Sequence, residues 1–276
     1  MTDLSCPLFW RDARMPYVEL RQVKDGRQVC YALHSHSQWS LGAITQGLSE
    51  FRYQGEVYPV AAGDLVVVNP HWVHACNPVE DEPWSYLMLY VDLPWLTELC
   101  FREGLLAEPV WQDLDTAKLT FPYWYQRYCD LAACLLNPEA DLLHKQTHLV
   151  DFLTGLLHHL VTAPVQSLPQ APEKMQALAA YLDQRVDQEV SLENLCALSG
   201  YSEGHLVRSF KKYFGLTPHA YQVNRRVELG RQELKAGKPI AEAALAAGFA
   251  DQSHFQRTFK RLMAATPNQY RQVLSP

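Results

Sequence analysis

Two segments near the C-terminal end of the chain carry polar and basic side chains of the kind that contact DNA. In the later one, Phe255 and Phe259 are four positions apart, so a helix over about Gln252–Met263 would bury one face and expose the other. The exposed face would present Gln252, Ser253, Gln256, Arg257, Lys260 and Arg261. Arg, Gln and Ser side chains read base edges in the major groove, and Lys and Arg at the helix end suit phosphates. The pattern predicts a recognition helix.

The earlier segment predicts a second helix of this kind, over about Glu203–Phe214, with Leu206 and Phe210 on its apolar side. Its opposite face would present Gly204, Val207, Arg208, Lys211 and Lys212. Glycine and valine make few or no hydrogen bonds to bases, so we expect base reading here to depend mainly on Arg208. Sequence specificity should therefore be weighted toward the later helix.

Three histidines in the N-terminal half could support different chemistry. On a strand, His34 and His36 would point the same way, and with His74 they could form a three-histidine metal site. Two polar histidines in a pocket plus one histidine in a turn are the simpler interpretation. We expect no bound metal, no cofactor and no catalytic residue.

Aromatic residues near these histidines favour a pocket for a small molecule, because such sites are mostly apolar with a few placed polar groups. The predicted lining is His34, His36, Trp39, Tyr53, Trp72, His74, Tyr86 and Tyr90. Trp84, Tyr86, Met88 and Tyr90 would alternate along one face of a strand. The alternative is that this face is simply hydrophobic core.

An internal repeat positions the two recognition helices. The segment Ser209–Tyr221 matches Thr258–Tyr270 at an offset of 49, and upstream the offset is 48, as for Gly200 and Gly248. The one-residue slip lies between the two helices of each copy, where a loop absorbs an insertion. Two copies with matching cores and basic faces indicate tandem helix-turn-helix units.

Capping residues set the limits of these helices. Ser191 suits the N-cap of a helix over Leu192–Ser199, which Gly200 would end in the left-handed conformation. Thr217 followed by Pro218 predicts the start of a helix over about Pro218–Lys235 that joins the two units. A rigid connecting helix would place the recognition helices about one turn of DNA apart.

The chain divides into two domains on these patterns. Residues 30–91 predict short strands, a helical pattern follows to about residue 161, and Pro164–Pro172 holds three prolines in nine residues. We predict an α+β chain: an effector and dimerisation domain over 1–163, a linker over 164–172 and an all-α DNA-binding domain over 173–276. The apolar stripe Leu149–Leu160 would pack on the strands or pair with a second chain.

Charge and cysteine content agree with this division. Residues 1–172 hold 10 basic and 20 acidic residues, whereas residues 203–276 hold 12 basic and 5 acidic residues, which suits a polyanionic partner. Seven scattered cysteines without a CxxC pair indicate reduced thiols rather than disulfides or a zinc site. With no run of about 18 apolar residues and no secretory signal, we expect a cytoplasmic protein that does not bind membranes.

The second repeat resembles the signature of the AraC/XylS family of bacterial regulators, from Gly248 through Phe259 to Thr266, Pro267 and Arg271. The resemblance spans about residues 175–271 and implies seven helices, with the third and sixth in the major groove. Ala264 stands where the motif has glycine, so the turn before Thr266 is expected to differ slightly.

The N-terminal half resembles the cupin-like effector domain of that family, which implies a small β-barrel over about residues 17–92 followed by helices. Metal-dependent cupin enzymes also supply a glutamate shortly after the His-x-His, and here residues 38–41 are Gln, Trp, Ser and Leu. The leading hypothesis is a transcription regulator that binds double-stranded DNA under the control of a small-molecule effector. A homodimer is expected, with RNA polymerase as a possible further partner. The alternatives are a metal-dependent cupin enzyme fused to a DNA-binding domain, and a regulator whose barrel only dimerises.

Overall fold

The computed structural model describes residues 6–27, 29–80, 82–161 and 171–274, with backbone alone at 273 and 274. In these ranges the chain forms ten strands and ten helices, most of the strands in the N-terminal half. The strands are β1 (Leu8–Trp10), β2 (Val18–Val23), β3 (Trp39–Gln46), β4 (Leu48–Tyr53), β5 (Glu56–Ala61), β6 (Leu65–Val68), β7 (His74–Pro78), β8 (Ser85–Val91), β9 (Lys118–Leu119) and β10 (Val273–Leu274). Residues 164–170 of the predicted linker lie outside the described residues.

The strands form two sheets that pack face to face. The larger has the order β10-β1-β2-β8-β3-β6-β9 and the smaller the order β5-β4-β7. Apolar side chains from both sheets meet between them, such as Ile44 and Val68 from the larger sheet and Phe51 and Val60 from the smaller. Burying each such side chain contributes about 1.5–3 kcal/mol.

The predicted barrel is therefore corrected to two open sheets. Closure requires hydrogen-bonded pairing all the way round, and β4 pairs only with β5 and β7. The chain crosses from β3 to β4 at Gly47, whose φ is 72°. A Cβ there would stand 1.9 Å from the Pro83 carbonyl oxygen, so only glycine fits this crossing.

Three helices cover the outer face of the larger sheet: α1 (Leu93–Arg102), α2 (Pro122–Leu136) and α3 (Leu142–Val161). The predicted apolar stripe of α3 is buried within the chain, and Leu149, Leu153 and Leu156 are fully covered. It packs with Tyr128 of α2 and with the larger sheet. Of the two arrangements expected for this stripe, packing on the strands is the one observed, so the stripe is not free to bind a second chain.

Seven helices follow: α4 (Glu173–Asp183), α5 (Leu192–Ser199), α6 (Glu203–Phe214), α7 (Pro218–Lys235), α8 (Ile240–Ala246), α9 (Gln252–Met263) and α10 (Pro267–Arg271). The helices α5, α6, α7 and α9 have the predicted limits, and α7 connects the two helix-turn-helix units. Ser191 and Thr266 form capping boxes, and Gly200 ends α5 with a φ of 73°. Ser202 stands at the N-cap of α6, but its side chain makes no capping hydrogen bond. No helix in the described ranges has the length and apolar character needed to cross a membrane.

Candidate functional site

The helix α9 turns its polar face to solvent. On the opposite face of the same helix, Phe255 and Phe259 are fully buried, and Gln256 is half-buried. The other side chains expected to contact DNA are exposed: Gln252, Ser253, Arg257, Lys260 and Arg261. Asp251 caps the helix by accepting the His254 N–H at 2.7 Å, which fixes the first turn. The donors that would read bases are therefore presented on a rigid element.

The helix α6 presents a smaller polar face. Gly204, Arg208, Lys211 and Lys212 are exposed. The Arg208 guanidinium folds back over Gly204, where its Nη1 lies 3.2 Å from the place of a Cβ. Val207 is half-buried and lines a surface cavity with Leu195 and Pro218. The assignment of both faces to DNA stays a prediction.

The structure brings the three predicted histidines together between the β-rich half and the helices. The ring centroids of His34 and His74 are 4.4 Å apart, and those of His36 and His74 are 4.8 Å apart. Each Nδ1 hydrogen-bonds a backbone carbonyl, of Ala32, Gln38 and Trp72 respectively, at 2.9 Å. These bonds fix the orientation of the three rings.

Burial keeps these imidazoles neutral. It lowers the pKa of His34 to about 4, with a further contribution from His36. Burial and then the neighbouring His74 lower the pKa of His36 to about 3. Burial and His34 lower that of His74 to about 3. At neutral pH the cluster is therefore an uncharged polar surface.

Two small adjacent cavities border this cluster and share Tyr31, His34 and Tyr90. Each has a volume of about 20 Å³, roughly the space of one water molecule. The first lies between the β-rich half and α7, and the second lies between the two sheets. Five predicted lining residues border one or both of them: His34, His36, His74, Tyr86 and Tyr90.

Three predicted lining residues are placed elsewhere. Trp39 is fully buried on the opposite face of the larger sheet, in the core beneath the helices α1–α3. Neighbouring residues of a strand point to opposite faces, so the correct assignment of this strand did not determine which face the Trp39 side chain is on. Tyr53 and Trp72 stack on each other at 5.2 Å, and the Tyr53 hydroxyl accepts the Asn69 N–H. The Trp72 indole donates to Asp113.

A buried polar network that the sequence reasoning missed borders the first cavity. The Tyr270 hydroxyl donates to Glu19 Oε2 at 3.2 Å and accepts from Arg231 Nη1 at 3.2 Å. Arg231 also pairs with Glu228, and Arg11 pairs with Glu19. Glu19 and Arg11 belong to the β-rich half, and the other three belong to the helical half, so the network joins the two.

The charges of this network are maintained despite burial. Burial alone would raise the pKa of Glu19, but the charges of Arg11 and Arg231 outweigh it and the pKa is lowered. Burial likewise opposes ionisation of Glu228, and the ion pair with Arg231 lowers its pKa to about 2. Both carboxylates are therefore ionised at neutral pH.

Groups from the β-rich half also hold the C-terminal end of α9. Arg21 donates to the carbonyl oxygens of Met263 and Ala264, at 2.7 and 3.1 Å. The Ala32 N–H donates to the Arg261 carbonyl at 3.0 Å. The last carbonyls of a helix have no partner inside the helix. Here the other domain supplies partners to the predicted recognition helix.

A sequence signal for this network exists in β2. Glu19 and Arg21 are opposite charges two residues apart in a strand of otherwise uncharged residues, so both point to one face. Buried charges need partners. That pair could have marked the face as functional, but nothing local identified Arg231 or Tyr270 as the partners.

Comparison with known families gives two matches. A family model described as an AraC-like ligand binding domain matches residues 16–154, about half of the chain. A second model, described as a helix-turn-helix domain, matches residues 195–273. The two matched segments cover the β-rich half with its helices and the tandem units.

Individual relatives agree with these matches. The uncharacterized HTH-type transcriptional regulator YbfI of Bacillus subtilis (strain 168) is 28% identical over 231 residues, 80% of either chain. The right origin-binding protein of Escherichia coli (strain K12) is 39% identical over 95 residues, 34% of this chain and 33% of that protein. A solved structure of unsaturated fatty acid bound wild-type ToxT from Vibrio cholerae strain SCE256 has a TM-score of 0.54 at 14% identity, covering 92% of this chain and 94% of that one.

Proposed function

The chain belongs to the AraC-like family of transcription regulators, and from that premise we propose that a small molecule bound between its two halves controls how it binds DNA. The family membership assigns a ligand-binding domain and a helix-turn-helix domain. The observation that carries the proposal is the hold of Arg21 and Ala32 on the end of α9. Binding of a small molecule at the cavity beside Glu19 and Arg231 would change the position of the recognition helix through this contact.

The size of the cavities supports a coupling of this kind. A space of about 20 Å³ does not hold an effector of several heavy atoms, so an effector has to move the surrounding groups apart. Glu228 and Arg231 of α7 form one wall, and His34 and Tyr90 form the other. Binding would therefore change the contacts between the domains, and with them the population that is competent for DNA.

The lining favours an effector with an apolar body and an acidic group. Aromatic rings and neutral imidazoles line both cavities beside aliphatic side chains, and the two carboxylates of the first cavity, Glu19 and Glu228, are each paired with an arginine. The buried guanidinium of Arg21 lies 5.4 Å from the ring of Tyr31, which borders both cavities. Arg21 donates to backbone carbonyls rather than to a carboxylate, and its Nε has no hydrogen-bond partner among the described residues. Fatty acids have this chemistry, and the solved ToxT structure holds an unsaturated one.

The DNA part of the proposal is tested by mapping genomic binding sites and then measuring anisotropy with a labelled fragment from one of them. Binding should weaken steeply with salt, as phosphate contacts require. Arg257→Ala should lose about 1–3 kcal/mol of discrimination at one base position. Arg102→Ala, an exposed arginine on α1, is the matched control and should bind like wild type. Wild-type binding by both Arg208→Ala and Arg257→Ala would show that the reading faces are misassigned.

The effector part is tested by a thermal-shift screen of fatty acids, sugars and amino acids. Oleate or a related fatty acid should stabilise the full-length chain, since a ligand that binds only the native state raises its stability. The same ligand should change the affinity for the DNA fragment, and Tyr90→Ala should reduce both effects. Stabilisation without any change in DNA affinity would contradict the coupling. No stabilisation by any compound would favour a domain that only dimerises.

Further expectations belong to this proposal. One of the relatives described above is named as a transcriptional regulator and the other as an origin-binding protein, which supports a chain without a catalytic role. We expect it to act in the cytoplasm, where the DNA is. A homodimer stays a prediction, to be checked by light scattering, and it would have to use a surface other than the covered stripe of α3. Contact with RNA polymerase stays a prediction too.

A further inference from the structure

The helical hairpin of α2 and α3 carries a cluster of metal-ligand side chains far along the chain from both DNA faces. Cys134 lies near the end of α2, and His144 and His148 lie one helical turn apart on α3. The Cys134 Sγ and one ring nitrogen from each histidine all lie within 4.8 Å of one another. In the described ranges, no other group of three His, Cys, Asp or Glu side chains has this arrangement.

The donor set suits a borderline-soft divalent ion. One thiolate and two imidazoles are ligands that Zn²⁺ takes, at about 2.3 Å for sulfur and about 2.0–2.1 Å for nitrogen. Ligand atoms in a tetrahedral site of that size stand about 3.5 Å apart. Small side-chain rotations would close the present spacing, since the two imidazole centroids are already 4.7 Å apart.

The backbone that carries these ligands is fixed. Leu131 and Leu135 of α2 and Leu149 of α3 are fully buried in one core, which holds the two helices together. Asp141 accepts the His144 N–H at 2.8 Å and so fixes the first turn of α3. The three ligands therefore need side-chain movement only.

The three side chains are free for an ion to reach. His144 is exposed, while Cys134 and His148 are half-buried. Neither imidazole hydrogen-bonds another described side chain through a ring nitrogen, and Cys134 is a free thiol. The ammonium of the neighbouring Lys145 turns inward and lies 5.5 Å from the centre of the Trp10 ring. The open face needs no local unfolding for entry.

The thiol is protonated until a metal displaces its proton. Burial raises the pKa of Cys134, the charge of Lys145 lowers it and that of Asp141 raises it. Coordination by a metal releases this proton, because the thiolate is the ligand.

We propose that Cys134, His144 and His148 bind one divalent transition-metal ion of the zinc class, with a water molecule in the fourth position. The ion cross-links α2 to α3 across the hairpin. The sequence alone did not indicate this site. The cysteine is ten residues from the first histidine, and the chain has no CxxC pair, which is the usual sequence sign of such a metal site. The site is independent of the effector and DNA proposals.

The test is a titration of the full-length apoprotein with Co²⁺ in a non-thiol reductant, followed by displacement with Zn²⁺ in calorimetry. We expect one equivalent of metal and a thiolate-to-cobalt charge-transfer band, which only a cysteine ligand produces. Cys134→Ser should abolish the band, and the double variant His144→Ala/His148→Ala should weaken binding by at least about 10-fold. Circular dichroism checks that each variant is folded.

Matched controls come from the same two helices. Cys129→Ser removes a half-buried thiol of α2, and His158→Ala removes an exposed imidazole of α3. Both should bind Co²⁺ like wild type. Unchanged binding in Cys134→Ser and in the double variant, or no stoichiometric metal in wild type, would overturn the proposal. So would binding that survives Cys134→Ser and is lost in His74→Ala, because the metal would then belong to the histidine cluster between the domains.

Discussion

Ala264 ends the second recognition helix in a backbone conformation that residues with a Cβ rarely adopt. Its φ is 45° and its ψ is 33°, the left-handed region. This conformation costs a non-glycine residue about 1–2 kcal/mol. The family motif has glycine at this position. Ala264 therefore adopts the conformation of that glycine with added strain, and the turn still leads into the capping box at Thr266.

Ala264→Gly should therefore raise the free energy of unfolding by up to about 1 kcal/mol, because glycine adopts this conformation without the Cβ clash. The gain is reduced by lost contact, since Ala264 packs against the core of the two sheets. Thermal denaturation measures the change. Ala265→Gly is the matched control. Ala265 is the next residue, is buried and has no positive φ, so its replacement by glycine should destabilise the protein. A lower melting temperature for Ala264→Gly would show that the left-handed strain is not relieved.

The histidine cluster makes stability depend on pH. The folded-state pKa values of His34, His36 and His74 lie at about 4, 3 and 3, below the unfolded value of 6.5. Between these values the unfolded chain binds more protons than the folded chain, so this stabilisation is complete above pH 6.5 and is lost progressively as the pH falls through 4 to about 3. Each histidine contributes a slope of up to about 1.4 kcal/mol per pH unit.

Urea unfolding at pH 7.0, 6.0 and 5.0 should show this loss. The depressed pKa of Glu228 acts only below about its usual value of 4.5, so the range from 5.0 to 6.5 reports mainly on histidines, including the partly affected His71. The double variant His36→Gln/His74→Gln should flatten the profile. The same steep slope in this variant as in wild type would assign the pH dependence to other groups.

At the scale of elements, α3 is a core helix whose apolar stripe closes the outer face of the larger sheet. Leu156→Ala should cost about 2.7–5 kcal/mol, because the side chain is fully buried and its removal leaves a cavity. Leu143→Ala on the same helix is the matched control, since that side chain is 73% exposed, and it should change little. Urea denaturation gives both values. Equal, small effects would mean that the stripe is not packed as described.

The two recognition helices differ as elements, although they arise from one repeat. The helix α9 offers arginine, glutamine and serine on an exposed face, and its C-terminal end is held by the other domain. The helix α6 offers one arginine folded over Gly204, and its half-buried Val207 lies beside another helix. This asymmetry supports the expectation that specificity is weighted toward α9, which a base-substitution scan of the bound DNA can check.

At the scale of the whole molecule, the polar network joins domains that the chain connects only through residues 162–172. Tyr270→Phe removes one hydroxyl between Glu19 and Arg231 and leaves both partly unsatisfied. Loss of a partner from a buried polar group costs about 1–3 kcal/mol. Hydrogen exchange should become faster in β1 and at the end of α9, where the domains meet.

Tyr213→Phe is the control for this change, because the Tyr213 ring packs against a core far from the junction and contacts the Lys212 ammonium, while its hydroxyl hydrogen-bonds no described residue. It should leave exchange unchanged. If Tyr270→Phe accelerates exchange evenly over the chain, the hydroxyl contributes to general stability rather than to the junction.

Short-range signals in the sequence determined the helical half. The caps at Ser191, Gly200 and Thr217 and the spacing of Phe255 and Phe259 gave the limits of the helices, because each depends on residues within one or two turns. The repeat then fixed the number and order of the units. The structure has the two units that these patterns predicted and the seven helices that the family resemblance implied.

Only the tertiary structure decided which side of each element is covered and by what. Trp39 faces the helices rather than the cavity, and the stripe of α3 closes its own core, because either direction satisfies the same periodicity. Arg21 and Glu19 have partners in Met263 and Tyr270, more than 240 residues away along the chain, and Cys134 meets His144 across a hairpin. Such contacts depend on how separate elements pack, and packing has no local pattern in the sequence. The tandem DNA-binding units were therefore evident from the sequence, whereas the junction that would control them was evident only once the fold had brought its residues together.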